Sequence, residues 1–222
     1  MSQYRLIYSA LVSLYGEPVW QPGLAPVDEL ISTILSQNTS DANRDLAFGR
    51  IKWRFESWDA VRAAPLTEVL EAIRPAGLAN RKAPRIQDIL QILWDEHGAI
   101  TLESIASMPL EEARGWLLAL PGVGPKTAAI VLLFAFGRPA FPVDTHVHRL
   151  SKRLGLIPKT MSAEKAHREL ERIVPTEHYY SFHLNLIRHG RQVCRARIPA
   201  CQRCGLHSYC QHYQGLSGPE SG

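Results

Sequence analysis

The chain has 222 residues, which is long enough to bury a large core in one domain or in two small ones. Apolar residues make up 45% of the sequence, a proportion that excludes wholesale disorder. The formal net charge is +4, but residues 1–143 hold 13 Lys and Arg against 15 Asp and Glu, whereas residues 144–222 hold 12 against 6. This asymmetry fits two interpretations equally well, a basic face that follows a polyanion or an ordinary solvated helix surface.

The N-terminal segment has neither the basic stretch nor the small-residue cleavage site of a signal peptide, so we predict that it forms a helix. The longest apolar run, residues 128–136, is too short to cross a bilayer. We therefore expect a soluble, intracellular protein that makes no contact with membranes.

Apolar residues recur at helical spacing along nearly the whole chain. The clearest apolar faces are formed by Leu6, Ile7, Ala10, Leu11 and Leu14, by Leu30, Ile31, Ile34 and Leu35, by Ile86, Ile89, Leu90 and Leu93, and by Val147, Leu150 and Leu154. No sustained alternation of apolar and polar residues marks a sheet, and proline and glycine divide the chain into about ten short helices. The predicted fold class is all-α.

The tryptophans lie within these helical patterns, and we expect them in the core rather than on a base-stacking surface. They are Trp20, Trp53, Trp58, Trp94 and Trp116. The last stretch of the chain, from Gln214 onward, is rich in Gly, Ser and Pro and predicts a frayed terminus.

A proline- and glycine-rich turn, LPGVGPKTA at residues 120–128, separates two apolar stretches. Gly122 and Gly124 allow a ligand to approach the main chain closely, and a helix that begins near Pro125 would add free N–H groups to a phosphate site. For the turn alone, a plain connection between helices is the commoner explanation. Lys126 lies in the first turn of that helix, where the helix dipole opposes a positive charge, so its position indicates a function.

A second short motif, FPVDTH, follows at residues 141–146. Asp144 or Thr145 is expected to cap the helix that carries Val147 and Leu150. The alternative is a carboxylate at a helix start that faces Lys126 across a cleft.

All cysteines of the chain lie in one short loop, spaced as Cys194-x6-Cys201-x2-Cys204-x5-Cys210. Disulfides are unfavourable in an intracellular protein, which leaves a metal site. The spacing fits a four-thiolate zinc site and a [4Fe–4S] cluster about equally.

Two arginines, Arg195 and Arg197, lie between the first two cysteines. A metal that holds both ends of the loop would make them preorganised contacts for phosphate. The cysteine loop can therefore be structural and still serve binding.

In series, the motifs LPGVGPKTA, VDTH and C-x6-C-x2-C-x5-C resemble those of the helix-hairpin-helix DNA glycosylases of the endonuclease III type. The resemblance extends from Leu30 to Cys210. It implies two helical lobes with a DNA-binding cleft between them. One lobe is a six-helix bundle with the hairpin, at residues 22–136, and the other is an iron–sulfur lobe formed by residues 1–21 and 137–222.

The resemblance also implies a ligand set and a cofactor. Cys194, Cys201, Cys204 and Cys210 would hold a [4Fe–4S] cluster rather than zinc. Arg195 and Arg197 would then carry the phosphate contacts of the loop, because Ile198 stands where a basic residue is often found in the family.

For Lys126 and Asp144 the resemblance implies catalytic roles. After the target base leaves the stack, a neutral Lys126 amine attacks C1′ and forms a Schiff base, which permits β-elimination of the 3′ phosphate. An exposed lysine has a pKa of about 10.4, so desolvation, nearby positive charge or the helix N-terminus must favour the neutral amine. Asp144 assists the attack and stabilises positive charge on the sugar. A lysine at this position is typical of the bifunctional members.

The resemblance places further DNA contacts in three segments. Leu78 matches the leucine that wedges into the base stack. Asn38 stands where the family commonly has a glutamine that fills the vacated base position, and the neighbouring Gln37 is the alternative for that role. The hairpin residues expected to contact the DNA backbone are Gly122, Val123, Gly124 and Thr127.

Together these features predict a base-excision-repair DNA N-glycosylase with AP lyase activity. Its substrate would be double-stranded DNA that contains oxidised or damaged pyrimidines or abasic sites, and we expect a monomer in the cytoplasm or nucleoid. Two alternatives stay open. One is a uracil or thymine mismatch glycosylase with weak lyase activity, and the other is a non-catalytic protein that binds DNA structures.

Overall fold

The computed structural model describes residues 2–216, and within this range the chain forms helices joined by turns and contains no β-strand. The predicted all-α class is confirmed. The chain separates into two compact units, one of Met1–Gln21 with Pro139–Gly222 and the other of Pro22–Arg138. The second boundary lies two residues beyond the one predicted after residue 136.

The Pro22–Arg138 unit contains eight α-helices, several of them short. They are α2 (Pro26–Leu35), α3 (Asp41–Arg54), α4 (Trp58–Ala63), α5 (Leu66–Ile73), α6 (Ala79–His97), α7 (Ser104–Ser107), α8 (Leu110–Ala119) and α9 (Pro125–Ile130). A 3-10 turn (Arg74–Ala76) follows α5, and a π-helical turn (Val131–Ala135) continues α9.

Local sequence signals explain where these helices begin. Pro26 occupies the first turn of α2, where its missing N–H costs nothing. The Ser40 side chain caps α3 by accepting the N–H of Asn43 at 3.3 Å. The apolar faces predicted around residues 30–35 and 86–93 are buried and form the core of this unit.

The other unit contains α1 (Gln3–Tyr15), α10 (Thr145–Arg153), α11 (Ala163–Ile173), α12 (Tyr179–Gln192) and α13 (Gln211–Leu216). Short 3-10 turns lie at Thr176–His178, Cys201–Arg203 and His207–Tyr209. Helix α1 packs against α12, and α10 packs against α11, α12 and α13.

The buried face of α1 differs from the predicted one. Tyr4 and Tyr8 join Ile7 and Leu11 in the core, whereas Leu14 is 47% exposed. The tyrosines are tolerated there because their hydroxyls are hydrogen-bonded: that of Tyr4 lies 2.7 Å from Nδ1 of His178. A periodicity based on aliphatic residues alone misses such a face.

The expectation that the tryptophans are buried is wrong. None of the five is fully buried, and the Trp53 side chain is 88% exposed on α3. The indole N–H of Trp58 donates to Asp28 at 2.6 Å and that of Trp116 to Glu96 at 3.0 Å. These polar partners favour a position at the surface, where the ring is only partly covered.

The predicted frayed terminus is only partly described. Gln214 lies in α13, and the residues of that segment after Leu216 lie outside the described range. Within residues 2–216, no helix has the length and apolar character that would allow it to cross a membrane.

Candidate functional site

The glycine-rich turn joins α8 to α9 as a helix-hairpin-helix connection. Gly122 has φ of 78°, and the N–H of Val123 donates to the carbonyl of Leu120 at 3.1 Å. Val123 and Thr127 have buried side chains, with 7% and 4% exposed. Their side chains are therefore withdrawn from a phosphate, and the N–H of Val123 is used within the turn.

Replacing Gly122 with alanine is expected to destabilise the protein by about 1 to 2 kcal/mol, the usual cost of a left-handed conformation for a residue with a side chain. The new β-carbon would also lie 2.7 Å from Cδ of Arg85, so this side chain must move. Denaturant unfolding and DNA-binding titrations would measure both effects.

Gly115→Ala is the matched control for this substitution. Gly115 lies within α8 with no atom near the position of an added β-carbon, so alanine there should stabilise by about 0.5 to 1 kcal/mol. Equal stability and equal DNA affinity of the two variants would contradict a special role for the backbone at Gly122.

Lys126 is the second residue of α9, directly after the turn, and its side chain is half-buried. The carboxyl of Glu29 belongs to α2, which packs against α9. Burial raises the pKa of Glu29, while a hydrogen bond from the Thr33 hydroxyl at 3.2 Å and the positive charges of Arg44 and Lys126 lower it. Sequence reasoning missed Glu29, because only the packing of α2 on α9 shows that this carboxyl is electrostatically coupled to Lys126.

The two residues predicted to fill a vacated base position have different surroundings. Nε2 of Gln37 donates to the carbonyl of Gly122 at 3.1 Å, so the Gln37 side chain is engaged with the hairpin turn. Asn38 is exposed and has φ of 53°. Gln37 therefore stabilises the hairpin turn, whereas the Asn38 side chain is exposed to solvent.

Leu78 immediately precedes α6 and is 47% exposed, with φ of 50°. Gly77 before it also has a positive φ, of 68°. Two successive residues with positive φ turn the chain sharply, and the Leu78 side chain therefore lies at the surface rather than in the core.

A buried lysine connects the segments that carry Asn38 and Leu78. The side chain of Lys82 is 2% exposed, and its Nζ donates to the carbonyl of Leu35 at 2.8 Å and to that of Ala76 at 2.9 Å. Burial lowers the pKa of Lys82. No sequence signal marks this residue, because a lysine near the start of a helix usually lies at the surface.

Asp144 caps α10, as expected from its sequence position. Its Oδ1 accepts the N–H of Val147 at 2.7 Å. The carboxylate is half-buried. This contact accounts for an acidic or amide side chain at the position but does not require a charge.

Cys194, Cys201, Cys204 and Cys210 line the same open cavity. Within residues 2–216, no three His, Cys, Asp or Glu side chains are arranged around a point where one metal ion would sit. Burial raises the pKa of the Cys204 and Cys210 thiols.

Nitrogen donors from the same unit point at two of these sulfurs. Nη1 of Arg153 donates to Sγ of Cys194 at 3.3 Å, and the main-chain N–H of Leu206 donates to Sγ of Cys204 at 3.4 Å. Nε2 of His189 lies 3.3 Å from Sγ of Cys204. Such donors suit thiolate ligands, whose sulfur atoms accept hydrogen bonds.

Arginines of α10 also fix the loop that carries Arg195 and Arg197. Arg149 donates to the carbonyl of Cys194, and Arg153 donates to the carbonyls of Arg195 at 2.8 Å and Ala196 at 2.9 Å. Arg195 and Arg197 themselves are exposed. The backbone of the loop is therefore restrained, and the Arg195 and Arg197 side chains are exposed at its surface.

Comparison with known proteins gives a consistent result. The family model of the HhH-GPD superfamily of base excision DNA repair proteins matches residues 31–176. Endonuclease III of Thermotoga maritima is 36% identical over 189 residues, which cover 85% of this chain and 84% of that protein. Endonuclease III of Sulfolobus acidocaldarius is 32% identical over 83% of this chain and 81% of that protein.

Solved structures agree with the sequence comparison. A trapped covalent intermediate of endonuclease III with DNA superposes with a TM-score of 0.82 at 30% identity and covers 98% of this chain and 99% of that one. A thermostable thymine-DNA glycosylase has the same fold, with a TM-score of 0.81 at 22% identity and coverage of 96% and 97%.

The chain belongs to the HhH-GPD superfamily of base excision DNA repair proteins. Within it, the protein is a DNA glycosylase of the endonuclease III type.

Proposed function

We propose that the protein is a bifunctional DNA glycosylase and AP lyase that removes oxidised or damaged pyrimidines from double-stranded DNA. The observation that carries the proposal is Lys126, a lysine at the second position of α9 directly after the hairpin turn. The similar endonuclease III forms a trapped covalent intermediate with DNA, and a lysine amine is the group that forms such adducts with a sugar aldehyde.

The proposed reaction begins with extrusion of the damaged base, since the bond between base and sugar is not reachable in the stack. The neutral amine of Lys126 then attacks C1′, and the bond from C1′ to the base breaks, so that the base leaves as an anion that takes a proton from water. The amine nitrogen loses its protons, the C1′–O4′ bond breaks with protonation of O4′, and the opened sugar is joined to Lys126 as a Schiff base. Loss of a proton from C2′ expels the 3′ phosphate by β-elimination. The partial positive charge at the N-terminus of α9 favours the neutral amine, whereas an ionised Glu29 would oppose it.

We assign to Asp144 the role of stabilising positive charge that develops on the sugar. A carboxylate is suited to this because charge stabilisation is strong where water is excluded. The hydrogen bond from the N–H of Val147 fixes one oxygen of the group and therefore orients it. This role needs the negative charge, whereas the helix cap does not.

We propose three sets of DNA contacts. The main chain of the turn at Gly122, Val123, Gly124 and Thr127 would bind a phosphate through the N–H groups that are not used within the turn. The exposed Leu78 and Asn38 would enter the duplex where the base has left, with Gln37 bracing the hairpin rather than entering. Arg195 and Arg197 would bind phosphate from the cysteine loop.

We further propose that the cysteine loop holds a [4Fe–4S] cluster. The cysteine spacing also suits a four-thiolate zinc site, and the similarity to endonuclease III favours the cluster. The four thiols line the same cavity, and the nitrogen donors near Cys194 and Cys204 fit thiolate ligands of such a cluster. The cluster would stabilise the loop, while the reaction itself needs no electron transfer.

Borohydride trapping tests the proposed activity. With a duplex that carries a single thymine glycol, we expect a covalent protein–DNA adduct and cleavage at the lesion. Duplexes that carry uracil or thymine opposite guanine test the alternative substrate class. Binding to all these duplexes without any adduct or base release would refute the proposal and would favour a non-catalytic DNA-binding protein.

A further inference from the structure

A histidine and a tyrosine connect the first helix of the chain to one of the cysteines. Nδ1 of His189 lies 2.9 Å from the hydroxyl of Tyr15 on α1, and Nε2 of the same ring lies 3.3 Å from Sγ of Cys204. The His189 side chain is 1% exposed. The three side chains thus form one chain of hydrogen bonds, although Tyr15 and His189 are 174 residues apart.

The chemistry of a metal-bound sulfur fixes the direction of these hydrogen bonds. A thiolate that binds iron carries no proton and only accepts, so Nε2 of His189 must carry the hydrogen that points at Cys204. A neutral imidazole has a single N–H, which in this arrangement lies on Nε2. Its Nδ1 is then a bare acceptor, and the Tyr15 hydroxyl must be the donor to it.

Other contacts hold Tyr15 in this orientation. The guanidinium of Arg188 lies over its ring, 4.9 Å from the centroid, and Nη1 of Arg188 donates to its carbonyl at 3.4 Å. The ring of Tyr15 meets that of His189 edge-on, with 5.9 Å between centroids. These contacts therefore fix the position of the Tyr15 hydroxyl.

We propose that Tyr15 and His189 are positioning residues for the iron–sulfur cluster: the Tyr15 hydroxyl selects the tautomer of His189 that donates a hydrogen bond to the sulfur of Cys204. The inference rests on the cluster of the proposed function. A hydrogen bond to a cluster sulfur withdraws negative charge from it, which raises the reduction potential and strengthens retention of the iron.

Tyr15→Phe removes only the hydroxyl and so tests the inference. In the purified holoenzyme, we expect iron to be lost to a chelator about tenfold faster than in the wild type, the order found for outer-shell changes. We also expect a lower midpoint potential by protein-film electrochemistry. Both measurements are independent of glycosylase activity, and circular dichroism verifies that the fold is retained.

Tyr4→Phe is the matched control. Tyr4 lies on the same helix and also shares a hydrogen bond with a histidine, His178, at 2.7 Å, but neither residue contacts a cysteine in the described hydrogen bonds. Iron loss and potential in this variant should equal those of the wild type.

His189→Gln separates tautomer selection from general loosening of the loop. A glutamine amide donates without a tautomer, so adding Tyr15→Phe to this variant should accelerate iron loss much less than it does in the wild type. An undiminished effect in the double variant would contradict tautomer selection.

The possible failures are distinguishable. If the wild type holds iron and Tyr15→Phe behaves like Tyr4→Phe, the inference is overturned and the proposed cluster stands. If the wild type as purified without oxygen holds zinc or no metal, the cluster itself is wrong and the inference fails with it.

Discussion

Lys126→Gln is expected to abolish borohydride trapping and to reduce strand cleavage at a thymine glycol by about 10³-fold or more, the order expected when a covalent nucleophile is removed. Glutamine has a similar reach, but its amide nitrogen does not attack C1′ and cannot form a Schiff base. Single-turnover cleavage and trapping on the same duplex measure the effect. Affinity for the lesion duplex should change far less, since the hairpin main chain and the basic loop are intact.

Lys52→Gln is the matched control for this experiment. It makes the same substitution in the same compact unit, at an exposed lysine of α3 that pairs with Asp28 at 3.1 Å. It should trap and cleave like the wild type. If Lys126→Gln still forms the adduct, another amine is the nucleophile and the proposed lyase mechanism is wrong.

Asp144→Asn completes the test because asparagine caps a helix as well as aspartate does. The hydrogen bond from Val147 and the stability of α10 should remain, while base release becomes slower. A full rate in this variant would mean that Asp144 serves only as the cap.

Lys82→Met is expected to lower the free energy of unfolding by about 2 to 4 kcal/mol, because the carbonyls of Leu35 and Ala76 lose a buried donor and methionine offers no replacement. Affinity for lesion DNA should fall as well. The ammonium holds the end of α2, next to Gln37 and Asn38, to the turn before Leu78, so both proposed duplex-entering segments depend on it.

Denaturant unfolding and anisotropy titrations with a lesion duplex would measure these effects. Lys52→Met is the control, and as an exposed residue in a surface ion pair it should change stability by less than about 1 kcal/mol. A Lys82→Met protein with wild-type stability would show that the two carbonyls find other donors, and the proposed linkage would be wrong.

Features with a local signature were predictable from the sequence. The cysteine spacing, the hairpin turn and the cap at Asp144 each lie within a few consecutive residues, so their residue types and order carry the information. The all-α class followed for the same reason, since helical periodicity is a local property.

Features that depend on packing were not predictable. Lys82 receives its role from carbonyls at residues 35 and 76, and His189 from Tyr15 and Cys204. The prediction that the tryptophans are buried was wrong because a helical pattern shows which face of a helix is apolar but not whether another element covers that face. Glu29 is electrostatically coupled to Lys126 only because α2 packs on α9.

The left-handed backbone at Asn38 and Leu78 has an evolutionary consequence. Within residues 2–216, they are the only residues other than glycine at positive φ. Glycine at either position would relieve about 1 kcal/mol of backbone strain, but it would also delete a side chain that we propose enters the duplex. Selection for heat resistance and selection for repair therefore act in opposite directions on the same two codons.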